Sequence, residues 1–157
     1  MDEIIWYRRI ASTDNSYWND VKNYCFWGDN FDIVKKYHSI INPGPMYKAI
    51  IIPDKLLIIE ANYEKHTCMK IRRIDMMPDT HYEDFRRYAM AGNTEEWFTK
   101  TDTVAGIISD HFRTEYDALI IRNIYENKEC DMDNHIMNDI VVFDKKIIKS
   151  CEKIIAK

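Results

Sequence analysis

Apolar and polar residues alternate in short blocks along this chain, and the blocks predict strands toward both ends with helices between them. The predicted strands are residues 4–10, 24–27, 47–52, 56–60, 69–74, 117–124 and 139–143. The predicted helices are residues 16–22, 31–39, 81–91 and 101–112, with a small helix or tail from Lys146. This order of elements indicates an α+β protein.

Turn and cap residues indicate where these elements end. Asn42-Pro43-Gly44-Pro45 predicts a turn, and Pro53-Asp54-Lys55 predicts a hairpin turn between the two strands that flank it. Asp29 or Asn30 can cap the helix that follows them, because a short polar side chain can accept a hydrogen bond from the first helical turn.

The chain has the size of one compact domain. It contains 157 residues, of which 46% are hydrophobic, and only 4 Gly and 4 Pro interrupt it. Because no stretch has the composition of a flexible linker, residues 1–157 are predicted to form a single domain. Motifs near the two ends of the sequence must then meet in the folded chain.

Net charge and cysteine spacing limit the class of protein. The formal net charge is −4, whereas a general nucleic-acid-binding protein needs an excess of Lys and Arg to neutralise phosphates. The acidic Met1-Asp2-Glu3 is followed by no sustained apolar run, so we expect neither a signal peptide nor a membrane anchor. A cytoplasmic location is therefore predicted. Four scattered cysteines are expected to be reduced, namely Cys25, Cys68, Cys130 and Cys151.

Three separated motifs occur in an order that is found in one enzyme superfamily. Tyr7-Arg8-Arg9 comes first, and Phe26-Trp27-Gly28-Asp29 follows with Tyr37 downstream. Tyr116-Asp117-Ala118-Leu119 and the segment 139–150 come last. Together they resemble the ADP-ribosyltransferase superfamily, in particular the domains of phage polyvalent proteins and, more distantly, the catalytic domains of poly(ADP-ribose) polymerases. The corresponding segments there are Tyr-Arg-Gly or Tyr-His-Gly, Tyr-Phe-Ala-Asp or Phe-Phe-Thr-Asp-Asn, and Tyr-Asp-Gly-Ile with Glu-x-Val-Val-Phe-Asp.

The resemblance extends over residues 7–150 and implies both a fold and a reaction. The expected fold is the split antiparallel sheet of the ADP-ribosyltransferase type with a helical middle segment. The expected activity is NAD-dependent mono-ADP-ribosylation of a host macromolecule, in the first place a protein, by a phage or toxin effector in the host cytoplasm. NAD is then a substrate, and the acceptor protein is the expected partner.

The resemblance also implies a role for each residue of the expected site. Asp139, Tyr37 and Arg8 are the expected catalytic residues. Asp139 would stabilise positive charge as the nicotinamide–ribose bond breaks, Tyr37 would stack on the nicotinamide, and Arg8 would contact the pyrophosphate or the adenosine ribose. The expected NAD-binding residues are Tyr7, Arg8, Arg9, Phe26, Trp27, Asp29 and Tyr37.

Three of these positions depart from the family pattern. Arg9 replaces a glycine whose backbone contacts the nicotinamide amide, Phe26 replaces a tyrosine, and Asp139 replaces a glutamate. Aspartate is one methylene shorter, and a misplacement of about 1 Å can cost on the order of 100-fold in rate. The alternative function is a transferase-like protein that has lost the reaction and binds a target, such as an inhibitor of a host defence complex. A free NAD hydrolase is a third possibility.

Each expected site residue also has a structural interpretation. Aromatic residues at strand and helix spacing, such as Phe26, Trp27 and Tyr37, pack in a core more often than against a cofactor. Asp139 can be a solvated acid at the start of a strand. Asp117 can be the acceptor for a backbone amide in a turn before its strand.

No metal site is expected from the sequence. His66 and Cys68 are ligand residue types, as are several residues of the run 130–135, but neither set has a second half at zinc spacing. The acidic run also lacks the glycine of a calcium-binding loop.

Overall fold

A computed structural model of the chain describes residues 4–11, 25–36, 43–65, 68–73, 97–98, 112–125 and 136–155, most of them in strands. The strands are β1 (Ile5–Ala11), β2 (Cys25–Gly28), β3 (Pro43–Ile51), β4 (Leu56–Lys65), β5 (Cys68–Arg73), β6 (Trp97–Phe98), β7 (Ala118–Tyr125), β8 (Ile136–Val142) and β9 (Ile148–Ile155). The helix α1 (Phe31–Lys36) follows β2, and a 3₁₀ turn (Lys145–Ile147) precedes β9. In this described part of the chain, no helix is long and apolar enough to cross a membrane.

All of these strands belong to one mixed sheet, in the order β6-β5-β4-β7-β8-β2-β1-β3-β9. The pair of β4 and β7 is parallel, and the other described pairs are antiparallel. The C-terminal strands β7 and β8 lie between β4 and β2, so motifs near the two ends of the chain do meet. The expected α+β class, with a split antiparallel sheet and a helical middle, is wrong because the strands of both halves interleave in one mixed sheet. The helices predicted at 16–22 and 81–91 fall outside the described residues, as does the helix predicted at 101–112 except for its last residue.

The sheet is strongly curved, because a short connection joins two strands that are far apart in the strand order. Four strands separate β3 from β4. A flat sheet would hold these two strands about 24 Å apart, at a spacing of about 4.8 Å per strand. The chain from Ile51 to Leu56 can span at most about 18 Å. The sheet must therefore bend around one of its faces, which we call the inner face.

The inner face contains the larger described core cluster. Its buried members are Trp6, Ile10, Cys25, Trp27, Tyr47, Ala49, Ile51, Ala118, Ile140, Val142 and Ile147. These residues come from strands near one edge of the sheet as well as from its centre. Their contacts stabilise the curved shape, since burying apolar surface is the main favourable contribution to folding.

The opposite, outer face is covered in part by α1. The cluster between them consists of Ile33, Val34, Met46 and Met137. Asn30 caps the helix, because its Oδ1 accepts a hydrogen bond from the backbone N–H of Ile33 at 3.1 Å. This confirms the predicted start of the helix, and Asn30 rather than Asp29 is the cap. The structure describes the helix as far as Lys36, and residues 37–39 lie outside the described ranges.

Gly28 allows α1 to lie close to the sheet. A Cβ atom at this position would be 2.5 Å from Met137 Sδ and 2.9 Å from Val34 Cγ2. We expect Gly28→Ala to lower the free energy of unfolding by about 1–3 kcal/mol, which is the usual cost of overpacking. Urea denaturation measures this difference. Lys36→Ala, on the exposed side of the same helix, should change the value by less than about 0.5 kcal/mol. Equal midpoints for Gly28→Ala and the parent protein would contradict this account of the glycine.

Three local predictions are wrong. β3 already begins at Pro43, where the sequence predicts a turn, because its pairing with β1 extends to the Ala11–Pro43 pair. β3 and β4 are not neighbours, so Pro53-Asp54-Lys55 belongs to a crossover rather than to a hairpin. The chain after the 3₁₀ turn forms β9 instead of a helix or tail.

Asp117 holds this crossover in place. Its Oδ2 accepts hydrogen bonds from the backbone N–H groups of Asp54 and Lys55, both at 3.0 Å, and its own N–H donates to Lys55 O at 2.8 Å. Asp117 comes directly before β7, which pairs with β4. It therefore aligns the start of the parallel pair. The structural interpretation of Asp117 as a partner of turn amides is confirmed.

Candidate functional site

Tyr7, Gly28 and Asp139 lie in one row across the centre of the sheet. Tyr7 is paired with Gly28, and Gly28 is paired with Asp139. Directly opposed residues present their side chains to the same face of a sheet. Tyr7 and Asp139 therefore share the outer face, with Cα atoms about 10 Å apart at the usual strand spacing. Gly28 itself places no side chain between them, and the space over it is occupied by Val34 of α1 and by Met137.

Asp139 is a buried acid on the central strand β8. Only 6% of its surface is exposed, so it is not a solvated strand-start acid. On the outer face, Ile121 is its partner on β7, and Met137 and Val141 flank it along β8. Burying a carboxylate is costly unless other groups compensate. Such a residue in a protein interior is a candidate for a functional role.

Arg8 and Trp27 point to the inner face, because side chains alternate along a strand. Arg8 is the register partner of Tyr47, and Trp27 is the partner of Ile140, both members of the inner core. The expected site residues are thus divided by the sheet. Tyr7, Arg9, Phe26 and Asp139 lie on the outer face, whereas Arg8 and Trp27 lie on the inner face.

Both arginines bind backbone carbonyl groups. Arg8 Nη1 donates to Phe26 O at 2.7 Å, and Arg9 Nη1 donates to Lys35 O at 2.7 Å. Lys35 lies in the last turn of α1, where carbonyl groups lack partners within the helix and a cation is favourable. Arg9 is 9% exposed, and its Nε is buried with no hydrogen-bond partner among the described residues. Arg9 therefore joins β1 to the end of α1.

Asp29 forms hydrogen bonds with a single residue of β8. Its Oδ1 accepts from the backbone N–H of Asn138, and its Oδ2 accepts from Asn138 Nδ2, both at 2.9 Å. Its own N–H donates to Asn138 O at 3.1 Å. Both carboxylate oxygens thus bind the strand that contains Asp139.

Phe31 is a residue near this row that the sequence analysis does not single out. Its ring meets the ring of Tyr7 edge to face, with centroids 5.4 Å apart, and Lys35 Nζ lies 5.8 Å from its centroid. Phe31 is an exposed hydrophobic residue. The sequence indicates the position of Phe31 in one way: it directly follows Asn30, a predicted helix cap, and so begins the helix.

Tyr37, an expected catalytic residue, lies outside the described residues. The run 130–135, whose ligand residue types are not expected to form a metal site, also lies outside them. Within the described ranges, no three His, Cys, Asp or Glu residues form a group that could hold a metal ion.

Cys151 lies on β9 and packs against the inner core. Burial, and to a smaller extent the nearby Glu152, raises the pKa of its thiol to about 11. Because only the thiolate reacts, about one Cys151 in a thousand is reactive at pH 8. We expect alkylation by iodoacetamide to be slow at pH 8 and to accelerate about tenfold per pH unit toward pH 11. Peptide mass spectrometry gives the rate at this site, and a rate at pH 8 equal to that of glutathione would contradict the expectation.

Comparison with known proteins identifies no relative. No protein-family model matches the sequence, and neither a curated protein nor a solved structure matches it. The features that indicate a function are therefore the order of the motifs and the outer-face row of Tyr7, Gly28 and Asp139.

Proposed function

We propose that this protein is an NAD-dependent mono-ADP-ribosyltransferase that modifies a macromolecule of a host cell, in the first place a protein. One observation supports it above the others: a buried carboxylate, Asp139, lies on the central strand and shares the outer face with Tyr7 across Gly28. The proposal rests on these residues and on the motif order, and not on the split-sheet fold, which the chain does not have.

The reaction breaks the bond between C1′ of the ribose and the nicotinamide nitrogen. Nicotinamide leaves as a neutral molecule with the electron pair of that bond, so positive charge develops at C1′. The Asp139 carboxylate stabilises this charge from a site where little water screens it. The acceptor's nucleophilic atom then bonds to C1′ and releases its proton to solvent.

The aromatic pair of Tyr7 and Phe31 is suited to the leaving group. Aromatic rings favour offset-stacked and edge-to-face arrangements with each other, and the nicotinamide ring can join such a group. Tyr7 and Phe31 already meet edge to face on the outer face. In this proposal Tyr7, and not Arg8, is the β1 residue that contacts the substrate, because Arg8 points to the inner face.

A binding protein without catalysis is the second candidate, and Arg9 favours it. Arg9 stands where the family has glycine, and its largely buried side chain lies on the same face as Asp139. A side chain of that size takes up space that a nicotinamide amide would need. The protein would then bind its target through the same surface without consuming NAD.

Incubation of the purified protein with NAD, with and without a bacterial lysate, separates the candidates. Nicotinamide release together with a mass shift on a lysate protein is the result expected for the transferase. Release without any label would indicate an NAD hydrolase. No release and no label would reject the enzymatic proposal and leave the binding protein.

A further inference from the structure

Asp29 and Asn138 are joined by a network of hydrogen bonds that involves both side chains. The three bonds that join the two residues leave one polar atom of the Asn138 side chain, Oδ1, which accepts from the backbone N–H of Asn123 at 3.1 Å. Asn123 has a positive φ of 62°, a conformation that few residues other than glycine adopt readily. The network therefore ties β2, β8 and β7 together at one level of the sheet.

Asp139 directly follows Asn138 on β8, so this network lies next to it. The register of β7 and β8 shifts between Ile121 and Ile124, and Ile121 is the partner of Asp139. A shift of one residue would turn every side chain of β8 to the other face, so that Asn138 would replace Asp139 on the outer face. Ile140, Val141 and Val142 do not prevent this, because all three are fully buried and suit either face. Met137, which packs in the outer cluster, and the polar contacts of Asn138 specify the register.

We propose that Asp29 is a positioning residue, which acts through Asn138 to hold the carboxylate of Asp139 on the outer face for the reaction proposed above. This inference rests on that proposed function. It replaces the direct contact with NAD that the sequence suggests for Asp29, since both of its carboxylate oxygens already accept hydrogen bonds from Asn138.

An exchange of the two side chains tests the inference. In Asp29→Asn, the NH₂ group of the new side chain replaces one acceptor oxygen, so it faces an N–H donor of Asn138 and that hydrogen bond is lost. In Asn138→Asp, the two carboxylates face each other and repel. In the double variant, the amide introduced at position 29 can accept from the backbone N–H of residue 138 and donate to the carboxylate introduced there, whose other oxygen still accepts from Asn123. The exchange thus retains every hydrogen bond and the net charge.

We expect each single variant to lower kcat for NAD on the order of 100-fold, with a much smaller change in KM, because the carboxylate is misplaced rather than the substrate released. The double variant should regain most of the lost kcat. Asp144→Asn is the matched control, because Asp144 Oδ1 also binds a backbone N–H, that of Lys146, beyond the other end of β8. It should leave both constants unchanged. An increase in KM alone in the single variants, or a folded double variant without recovery, would overturn the inference.

A second readout does not need activity. The ¹³C chemical shift of the Asp139 carboxyl carbon, assigned by its loss in Asp139→Asn, should move in both single variants and return in the double variant. If the parent protein does not consume NAD, the proposed function fails. The ¹³C shift of Asp139 then tests by itself whether Asp29 positions this carboxylate, and an unchanged shift in the single variants would reject that role. Asp29→Glu keeps the charge and both acceptor oxygens with one added methylene. If the exchange does not fold, this variant should still lower kcat and move the shift, and the absence of both effects would count against the inference.

Discussion

Replacement of Trp27 by alanine should lower the free energy of unfolding by about 3–5 kcal/mol, the cost of removing a large aromatic side chain from a core. Trp27 is 1% exposed and is among the largest fully buried side chains of the described residues. It packs in the inner cluster, where strands from both halves of the sheet meet. Since domains are stable by only about 5–15 kcal/mol, this loss is a large fraction of the total and should lower the Tm by roughly 6–20 °C. Thermal and urea denaturation followed by circular dichroism measure the effect.

Phe26 provides the matched comparison for Trp27. The two residues are adjacent, and both are candidates from the sequence for an aromatic platform under NAD, but Phe26 lies on the outer face and is only partly buried. Phe26→Ala should therefore destabilise the protein less than Trp27→Ala does. If Trp27→Ala instead retained the parent midpoint and raised KM for NAD, its assignment to the core would be wrong.

Local patterns in the sequence predict several elements correctly. The apolar blocks identify β1, β2, β4 and β7 to within a few residues, apart from a longer C-terminal end of β4. The cap before α1 follows from the preference of short polar residues for that position. These predictions succeed because propensity and burial agree within a few residues of chain, without any contribution from distant segments.

Pairing between distant segments is where the sequence misleads. Pro53-Asp54-Lys55 has the composition of a hairpin turn, yet the bonds from Asp117 hold it in a crossover. No local property of the turn distinguishes the two structures, since the deciding acceptor is more than sixty residues away. The interleaved strand order, which overturns the expected fold class, has the same origin.

β9 shows how tertiary pairing can override a local pattern. Its more buried positions, Ile148, Cys151, Ile154 and Ile155, are spaced as on a helix. The strand forms because it pairs with β3, and two register shifts in that pair account for the departure from simple alternation. Lys48 Nζ and Glu152 Oε1, 3.1 Å apart on opposed residues, add one ion pair across it.

The sequence predicts which segments lie together at the candidate site, but it does not predict which side chains of those segments share a face. The motifs on β1, β2 and β8 do lie next to one another, as their order suggests. Which residue of each motif faces Asp139 depends on strand register, and this selects Tyr7 over Arg8. A consecutive motif in a strand necessarily divides its residues between two faces.

Asp139→Asn should lower the rate of NAD consumption by about 100- to 1000-fold, the range for removing one preorganised electrostatic group from a transition state. Asparagine has nearly the same shape, so the variant should fit the space between Ile121 and Met137 and keep the fold. The expected loss of rate comes from removing the negative charge that stabilises the developing cation at C1′. Nicotinamide release under saturating NAD measures it, with circular dichroism as the check on folding.

The variants Tyr7→Phe and Tyr7→Ala test the role of the Tyr7 ring separately from that of the Asp139 charge. Phenylalanine keeps a ring that can stack, so it should retain most activity, whereas alanine should raise KM for NAD. A folded Asp139→Asn protein that releases nicotinamide at the parent rate would exclude Asp139 as the stabilising acid. If, in addition, the parent protein bound a target in lysate without labelling it, the protein would be a binding protein. The buried Arg9, on the outer face with Asp139, would then explain the loss of catalysis.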